Sequence, residues 1–373
     1  MKILYSCLSQ SWGGMEMITV DATLQLINRG NEVSLLCYPG SKIHLSAKEK
    51  KIRTIPLKAG SYFHPTAIFG LVKLLKKEKF DLVHTQASKD LWILVPALKL
   101  AAEKCPLFLT KQLGSFIEKK DVFHKFLYRR VTFAFAISRV IEKNLNDTTP
   151  LKKDKIKLLH NYVDTHKYDP SRTEGGKIRS EFNISDDDLV IGMLARFSKG
   201  KGHEEFLEAA KILCEKFDNI KFLIVGEPSR GENEYAEKIK NISENYGLTE
   251  RVIFTGFRSD TPDILSSLDV FAFPSHSEAF GIALVEAMAC AKPSVCSNSD
   301  GVLDIAVDGE TSYLFEKGNA EDLANKLELL ITSKDKREAF GSAARKRAVE
   351  FFDVKILTDK VLKFYEEGIN KNI

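Results

Sequence analysis

VFAFPSHSEAFGIALVEAMACAKPSVCS, residues 270–297, opens and closes on short β-rich runs, VFAFPS (270–275) and SVCS (294–297), with a helical pattern between them. Strand, helix and strand in so short a span form a βαβ unit, the element from which parallel sheets are built. A helix that begins near Phe280 and runs to Ala289 stops before Pro293, whose ring cannot continue it. Gly281 then lies in the first turn, where free backbone N–H groups can receive a phosphate without obstruction by a side chain. Glu278 and Glu286 stand eight residues apart, about 12 Å along a helix axis. Carboxylate pairs that share one glycosidic bond sit roughly 5–9.5 Å apart. This pair therefore suits the two ends of one long ligand, with phosphates between them. A lone helical glutamate is ordinarily solvated, but Glu286 is set among Ile282, Ala283, Leu284, Val285, Ala287 and Met288, which argues against plain solvation.

The same alternation extends in both directions. LVIGMLA (189–195), KFLIVG (221–226) and RVIFTG (251–256) precede the opening stretch, each followed by a helical pattern. KILYSC (2–7), EVSLLCY (32–38), LVHT (82–85), LFLT (107–110) and FAFAIS (133–138) repeat the scheme in the first half, with helical stretches such as 15–29 and 66–79. Strands apolar on both faces belong to sheets covered by helices on both sides. The chain therefore reads as α/β, with two doubly wound parallel sheets in tandem. The polar stretch DTHKYDPSRTEGGKIRSEF (164–182), with its Pro and Gly-Gly pair, is the expected join. The expected domains are 1–167 and 168–353; the C-terminal helical pattern 354–373 could pack on either domain, and would complete the first if it packs there.

Length and composition agree. At 373 residues the chain is too long for one ordinary core. No apolar run reaches the roughly 18 residues of a membrane span, and MKILYSCLSQSWGG reads as a first core strand rather than a leader. The expected location is the cytoplasm. The six cysteines form no CxxC pair and read as reduced core thiols; the sequons at Asn146, Asn183 and Asn241 carry no meaning in that compartment. The net charge of +4 is unevenly shared: residues 1–170 hold 28 Lys/Arg and 15 Asp/Glu, net +13, leaving −9 for the remainder. The basic half should face an anionic partner.

Parallel sheets place ligands beyond the carboxyl ends of their strands, and the notable motifs fall there. WGGMEM (12–17) follows the first strand and opens a helix; adjacent glycines can serve a tight turn or close approach to an anion. ARFSKGKGHEEF (195–206) puts Arg196 and Lys201 in a glycine-rich loop leading into a helix, where a fork of donors and a point charge can clamp a diphosphate. The spacing is not that of a P-loop. His84 and Gln86 end a strand of the first half and are candidate acceptor contacts. KKDVFHKFLYRR (119–130) interleaves Lys119, Lys120, Lys125, Arg129 and Arg130 with Phe123, Phe126 and Leu127. If helical it is amphipathic, either a core-facing helix with a basic solvated side or a peripheral contact with an anionic membrane surface. DDD (186–188) directly precedes a strand and reads as a solvated turn, so no metal site is expected.

SEAFGIALVEAMACAKPSV resembles the signature of the retaining family 4 glycosyltransferases. GGME (13–16), DLVH (81–84), AIS (136–138), LLHNYVD (158–164), LARFSKGKGH (194–203), LIVGE (223–227), VIFTGF (252–257), DVFAFPS (269–275) and DGETSYLF (308–315) match in the family's order. The resemblance covers nearly the whole chain, strongly in the second half and more loosely in the first. It implies the GT-B fold, two Rossmann-like domains facing across a cleft, and transfer of a sugar from a nucleotide-diphosphate sugar without a cofactor or essential metal. By the same resemblance Arg196 and Lys201 bind the donor diphosphate and Glu286 the ribose hydroxyls. Glu278 stands beside the transferred sugar. Phe280, Gly281 and Ile282 offer backbone near the β-phosphate, Gly13 and Gly14 form the first domain's loop, and Phe257 and Arg258 lie where the base is touched.

Two departures stand out. Gln112 in LFLTKQLG occupies a position where the family usually has a histidine, and could bind sugar hydroxyls as an acceptor contact. In SDGVLD the acidic position is Asp304, with Asp300 replacing a glycine. The basic first half favours an anionic saccharide or lipid-linked saccharide acceptor, as in lipopolysaccharide or surface polysaccharide synthesis, at the inner face of the cytoplasmic membrane; no nucleic-acid partner is expected. Two other readings use the same residues: a nucleotide-sugar epimerase, which needs no acceptor, and a non-catalytic nucleotide-sugar binding subunit.

Overall fold

A computed structural model describes residues 1–59, 62, 64–229 and 231–371. The last two residues of the expected C-terminal helix, Asn372 and Ile373, lie outside these. The chain divides into two compact units, Met1–His160 with Lys355–Ile373, and Asn161–Val354.

The first unit contains strands β1 (Lys2–Cys7), β2 (Glu32–Cys37), β3 (Arg53–Pro56), β4 (Leu82–Thr85), β5 (Leu107–Lys111), β6 (Phe133–Ala136) and β7 (Ile156–Leu158). They form one parallel sheet in the order β3-β2-β1-β4-β5-β6-β7. The central strands are buried along almost their whole length, as continuous apolar runs must be when helices cover both faces. Strand order reverses between β1 and β4, which pair from Ile3↔Leu82 to Ser6↔Thr85. Side chains fix the starts of several covering helices: Ser138 accepts from the Ile141 amide, and Asp121 from those of Phe123 and His124.

The helix Val354–Asn370 supplies core to the first unit from the far end of the chain. Tyr365 is fully buried, its ring 4.8 Å from Phe108, and its hydroxyl bonds Nδ1 of His84. At Gly368 a Cβ would sit 2.5 Å from the Phe108 ring, so only glycine lets the helix approach that closely.

The second unit contains β8 (Leu189–Leu194), β9 (Ile220–Val225), β10 (Val252–Gly256), β11 (Val270–Phe273), β12 (Ser294–Ser297) and β13 (Ser312–Phe315), parallel in the order β10-β9-β8-β11-β12-β13. Its core packs Ile191, Phe222, Val270 and Val295 from the sheet against Phe206, Leu213 and Leu327 from helices. The order reverses between β8 and β11, which pair at Ile191↔Val270. Each sheet therefore has one crevice beyond its carboxyl edge, and the loops there carry the motifs singled out above. All six cysteines are free thiols. Among the described residues no helix is long and apolar enough to cross a membrane.

Candidate functional site

In the second unit the loops after β8, β9 and β11 are pressed together by glycines in the left-handed region. Gly202 has φ +81 and caps the helix His203–Cys214; a Cβ there would lie 2.3 Å from the Pro274 carbonyl oxygen. Gly226 has φ +146, and its Cβ would lie 2.0 Å from the Ala195 carbonyl oxygen. The His276 amide donates to the Gly200 carbonyl at 2.8 Å. These contacts hold the loops that carry Lys201 and Glu278 side by side. Lys201 Nζ donates to Glu278 Oε1 at 2.6 Å, both side chains mostly shielded from solvent. Arg196 is exposed nearby in sequence and donates from Nη1 to Ser229 Oγ at 2.8 Å, while Ser198 donates to Glu232.

The helix begins at Ile282 rather than near Phe280, and runs to Ala289. Gly281, at φ +118, is its N-cap, and no side chain caps it. Glu278 consequently lies in the preceding loop, so its separation from Glu286 is not the eight-residue helical rise expected from the sequence. The loop is tied down by the Gly301 amide, which donates to the Glu278 carbonyl at 3.0 Å, and by Ser277, which donates to Asp300 at 2.5 Å. Phe280 is buried edge-to-face on Phe352, and Ile282 is half-buried at the open helix start. Free amides at such a terminus favour an anion.

Glu286 is half-buried one turn further along. Burial pushes its carboxyl above the usual range, and a hydrogen bond from Tyr168 opposes this. Tyr168 Oη donates to Glu286 Oε1 at 2.7 Å and lies 2.9 Å from Thr261 Oγ1. The polar stretch around Tyr168 gave no sign of this role. His203 is another residue that sequence reasoning passed over. It is fully buried, stacked 4.7 Å from Phe197, with neither ring nitrogen bonded among the described residues, and burial pulls its pKa down to about 4. Phe257 is exposed after β10. Arg258 is held by Asp260 and Glu181, which push its pKa further up, and lies over the Phe182 ring.

In the first unit a cavity of about 860 Å³ opens beyond the carboxyl ends of β1, β4 and β5. Gln86 and Gln112 line it; Gln112 Nε2 donates to Gln86 Oε1 at 2.8 Å, and Gln86 donates in turn to the Tyr5 hydroxyl. His84 is not part of this lining. Its ring is in the core with Nε2 2.8 Å from Thr110 Oγ1 and Nδ1 on Tyr365, and burial pulls its pKa down to about 3. Gly13 caps the helix Gly14–Asn28 in extended conformation, and the buried Glu16 in the first turn accepts from Ser9 at 2.6 Å, so this terminus already faces a carboxylate. The amphipathic patch forms a helix over Val122–Arg129, with Lys119 and Lys120 before it.

Residues 12–167 match the model of Glycosyltransferase Family 4, and residues 176–347 that of Glycosyl transferases group 1. A capsular polysaccharide biosynthesis glycosyltransferase, CapM, of Staphylococcus aureus is 29% identical over 65% of this chain and 63% of its own length. An Escherichia coli UDP-Gal:α-D-GlcNAc-diphosphoundecaprenol α-1,3-galactosyltransferase is 26% identical over 80% of this chain and 78% of its own. The crystal structure of a glycosyltransferase from Rickettsia africae superimposes with a TM-score of 0.90 at 23% identity, covering 100% of this chain and 99% of that one, a likeness of fold. With two family models that together span most of its length and two Rossmann-like parallel sheets, the chain belongs to the family 4, group 1 glycosyltransferases.

Proposed function

We propose that the protein is a retaining glycosyltransferase that moves a sugar from a nucleotide-diphosphate sugar to a lipid-linked saccharide in the synthesis of a surface polysaccharide. The observation that carries this is the cluster at the switch point of the second sheet. There Lys201 is bonded to Glu278 just before the open N-terminus at Gly281, and Glu286 is held by Tyr168.

Transfer breaks the bond between the anomeric carbon and the diphosphate oxygen. Negative charge grows on the leaving phosphate and positive charge on the sugar. Arg196, Lys201 and the amides at Gly281 and Ile282 stabilise the first, since fixed donors aimed at developing charge lower the barrier most. Lys201 moves from Glu278 to the phosphate when donor binds, which leaves Glu278 to orient the sugar hydroxyls. Glu286 accepts from the ribose hydroxyls, with Phe257 beside the base. The acceptor hydroxyl attacks from the face the diphosphate leaves, its proton passes to the departing phosphate oxygen, and the products are the glycosylated acceptor, with retained configuration, and a nucleoside diphosphate. This chemistry needs no metal, so turnover should survive EDTA.

The acceptor assignment draws on the E. coli relative, whose name gives a diphosphoundecaprenol-linked substrate, and on the charge of the first unit, which holds 31 Lys/Arg against 16 Asp/Glu, net +15. Replacing Arg196 by Ala should lower kcat at least 100-fold in the folded protein; transfer at the wild-type rate would refute the clamp. Conversion of a nucleotide sugar with no acceptor present would instead identify an epimerase.

A further inference from the structure

We infer that Lys89, Lys111 and Lys119 form the site in the first unit's cavity that holds the diphosphate of a prenyl-linked acceptor, with Leu113 and Ile117 at its rim receiving the start of the lipid. The inference rests on the proposed function and assigns the acceptor's anionic group to particular side chains.

All three lysines line the cavity. Lys111 ends β5 and is only 7% exposed, yet among the described residues its ammonium makes only a long contact to Ser88 Oγ, at 3.3 Å. No ion pair is formed by any of the three among the described residues. Asp90, the carboxylate of the cavity wall, accepts from Ser6 Oγ at 2.6 Å, Leu8 N at 3.2 Å and Thr85 Oγ1 at 3.1 Å. Glu118 is taken by Lys120 at 2.8 Å. The wall also contains the hydroxyl of Tyr128, buried with no hydrogen-bond partner among the described residues. Burial, and next the charge of Lys119, pull the pKa of Lys111 down to about 8; burial, with the charge of Lys89, lowers that of Lys119.

A shielded ammonium group without a counterion costs stability, and cations of like sign crowded together add to the cost. An anion removes both penalties. One carboxylate would neutralise one lysine; the diphosphate that joins a saccharide to a prenyl chain carries two negative charges spread over several oxygens, which can bridge the three ammonium groups, and the Tyr128 hydroxyl can donate to a phosphate oxygen. The loop that carries Lys119 also carries Leu113, Phe116 and Ile117, all exposed. Apolar side chains left in solvent at the mouth of a cationic cavity match a ligand whose diphosphate continues into hydrocarbon.

The test is calorimetric titration of the full chain carrying Arg196→Ala, which silences the donor clamp, with farnesyl diphosphate, inorganic pyrophosphate and farnesol. Farnesyl diphosphate should bind more tightly than pyrophosphate, and farnesol at least tenfold more weakly than either. Lys111→Met and Lys119→Met should each weaken farnesyl diphosphate at least tenfold, and Lys111→Arg should restore most of the affinity. If Lys111→Met fails to fold, Lys119→Met, in a loop, carries the same comparison. Equal affinity in the lysine variants, absence of binding to the Arg196→Ala protein, or farnesol binding as tightly as its diphosphate would overturn the site. Pyrophosphate binding as tightly as farnesyl diphosphate would overturn the lipid part. A nucleotide-sugar shift of the wild-type melting temperature, measured separately, reports on the proposed function whatever these titrations give.

Discussion

Glu286 and Lys111 both sit in places that disfavour their charge. At Glu286 the compensation is visible in the hydrogen bond from Tyr168. Tyr168→Phe should raise the KM for the donor about 3–10-fold, the worth of roughly one ordinary hydrogen bond, with kcat changed less; steady-state kinetics decide, and a fall in kcat at constant KM would contradict the role. At Lys111 no carboxylate offsets the cost among the described residues, and the ammonium has only the long bond to Ser88 Oγ there. Its ordinary pKa of 10.5 applies in the unfolded chain and about 8 in the folded one, so between these values the unfolded state binds more protons and stability rises with pH. Lys111→Met lacks this titration. Its melting temperature should exceed that of the wild type below pH 8, with the gap closing as pH rises toward 10.5; melts at pH 7, 8, 9 and 10 measure it. Neither residue was legible in the sequence. Tyr168 stands in a polar stretch without periodicity, and a single lysine at the end of LFLTK gives no sign that it is shielded.

Elements were easier to read where they are buried. Of the thirteen strands among the described residues, ten are apolar runs plain in the sequence, and the three it did not mark, β3, β7 and β13, are all sheet edges. RTIP has exposed residues and ends on Pro56, while IKL and SYLF are short and only partly buried; edge strands need less apolar surface and so lack the signal. The helix start at Ile282 was misplaced by two residues because the left-handed N-cap at Gly281 cannot be seen in a sequence where Phe280 also suits a helix. The loop glycines carry the corresponding prediction. Gly202→Ala puts a Cβ 2.3 Å from a carbonyl oxygen at φ +81, and should destabilise the protein by about 2–4 kcal/mol. Denaturant unfolding measures this, and a loss under 1 kcal/mol would show that the loops after β8 and β11 are not held as described.

The molecule as a whole divides its charge as it divides its chain: net +15 in the first unit and −11 in the second. Acceptor binding by the first unit should therefore weaken as ionic strength rises from 0.05 to 0.5 M, and insensitivity to salt would count against an anionic acceptor. The parallel-sheet architecture was legible because buried strands and the glycine-rich loops that follow them are local in sequence. The return of the C-terminal helix to the first unit depends on Tyr365 and Gly368 meeting Phe108, a contact no local pattern contains. Ligand-induced stabilisation reads the donor clamp without knowledge of the acceptor. A panel of nucleotide-diphosphate sugars should contain at least one that raises the melting temperature of the wild-type chain by several degrees, a shift lost in Lys201→Ala. An equal shift in that variant would show that Lys201 does not hold the donor.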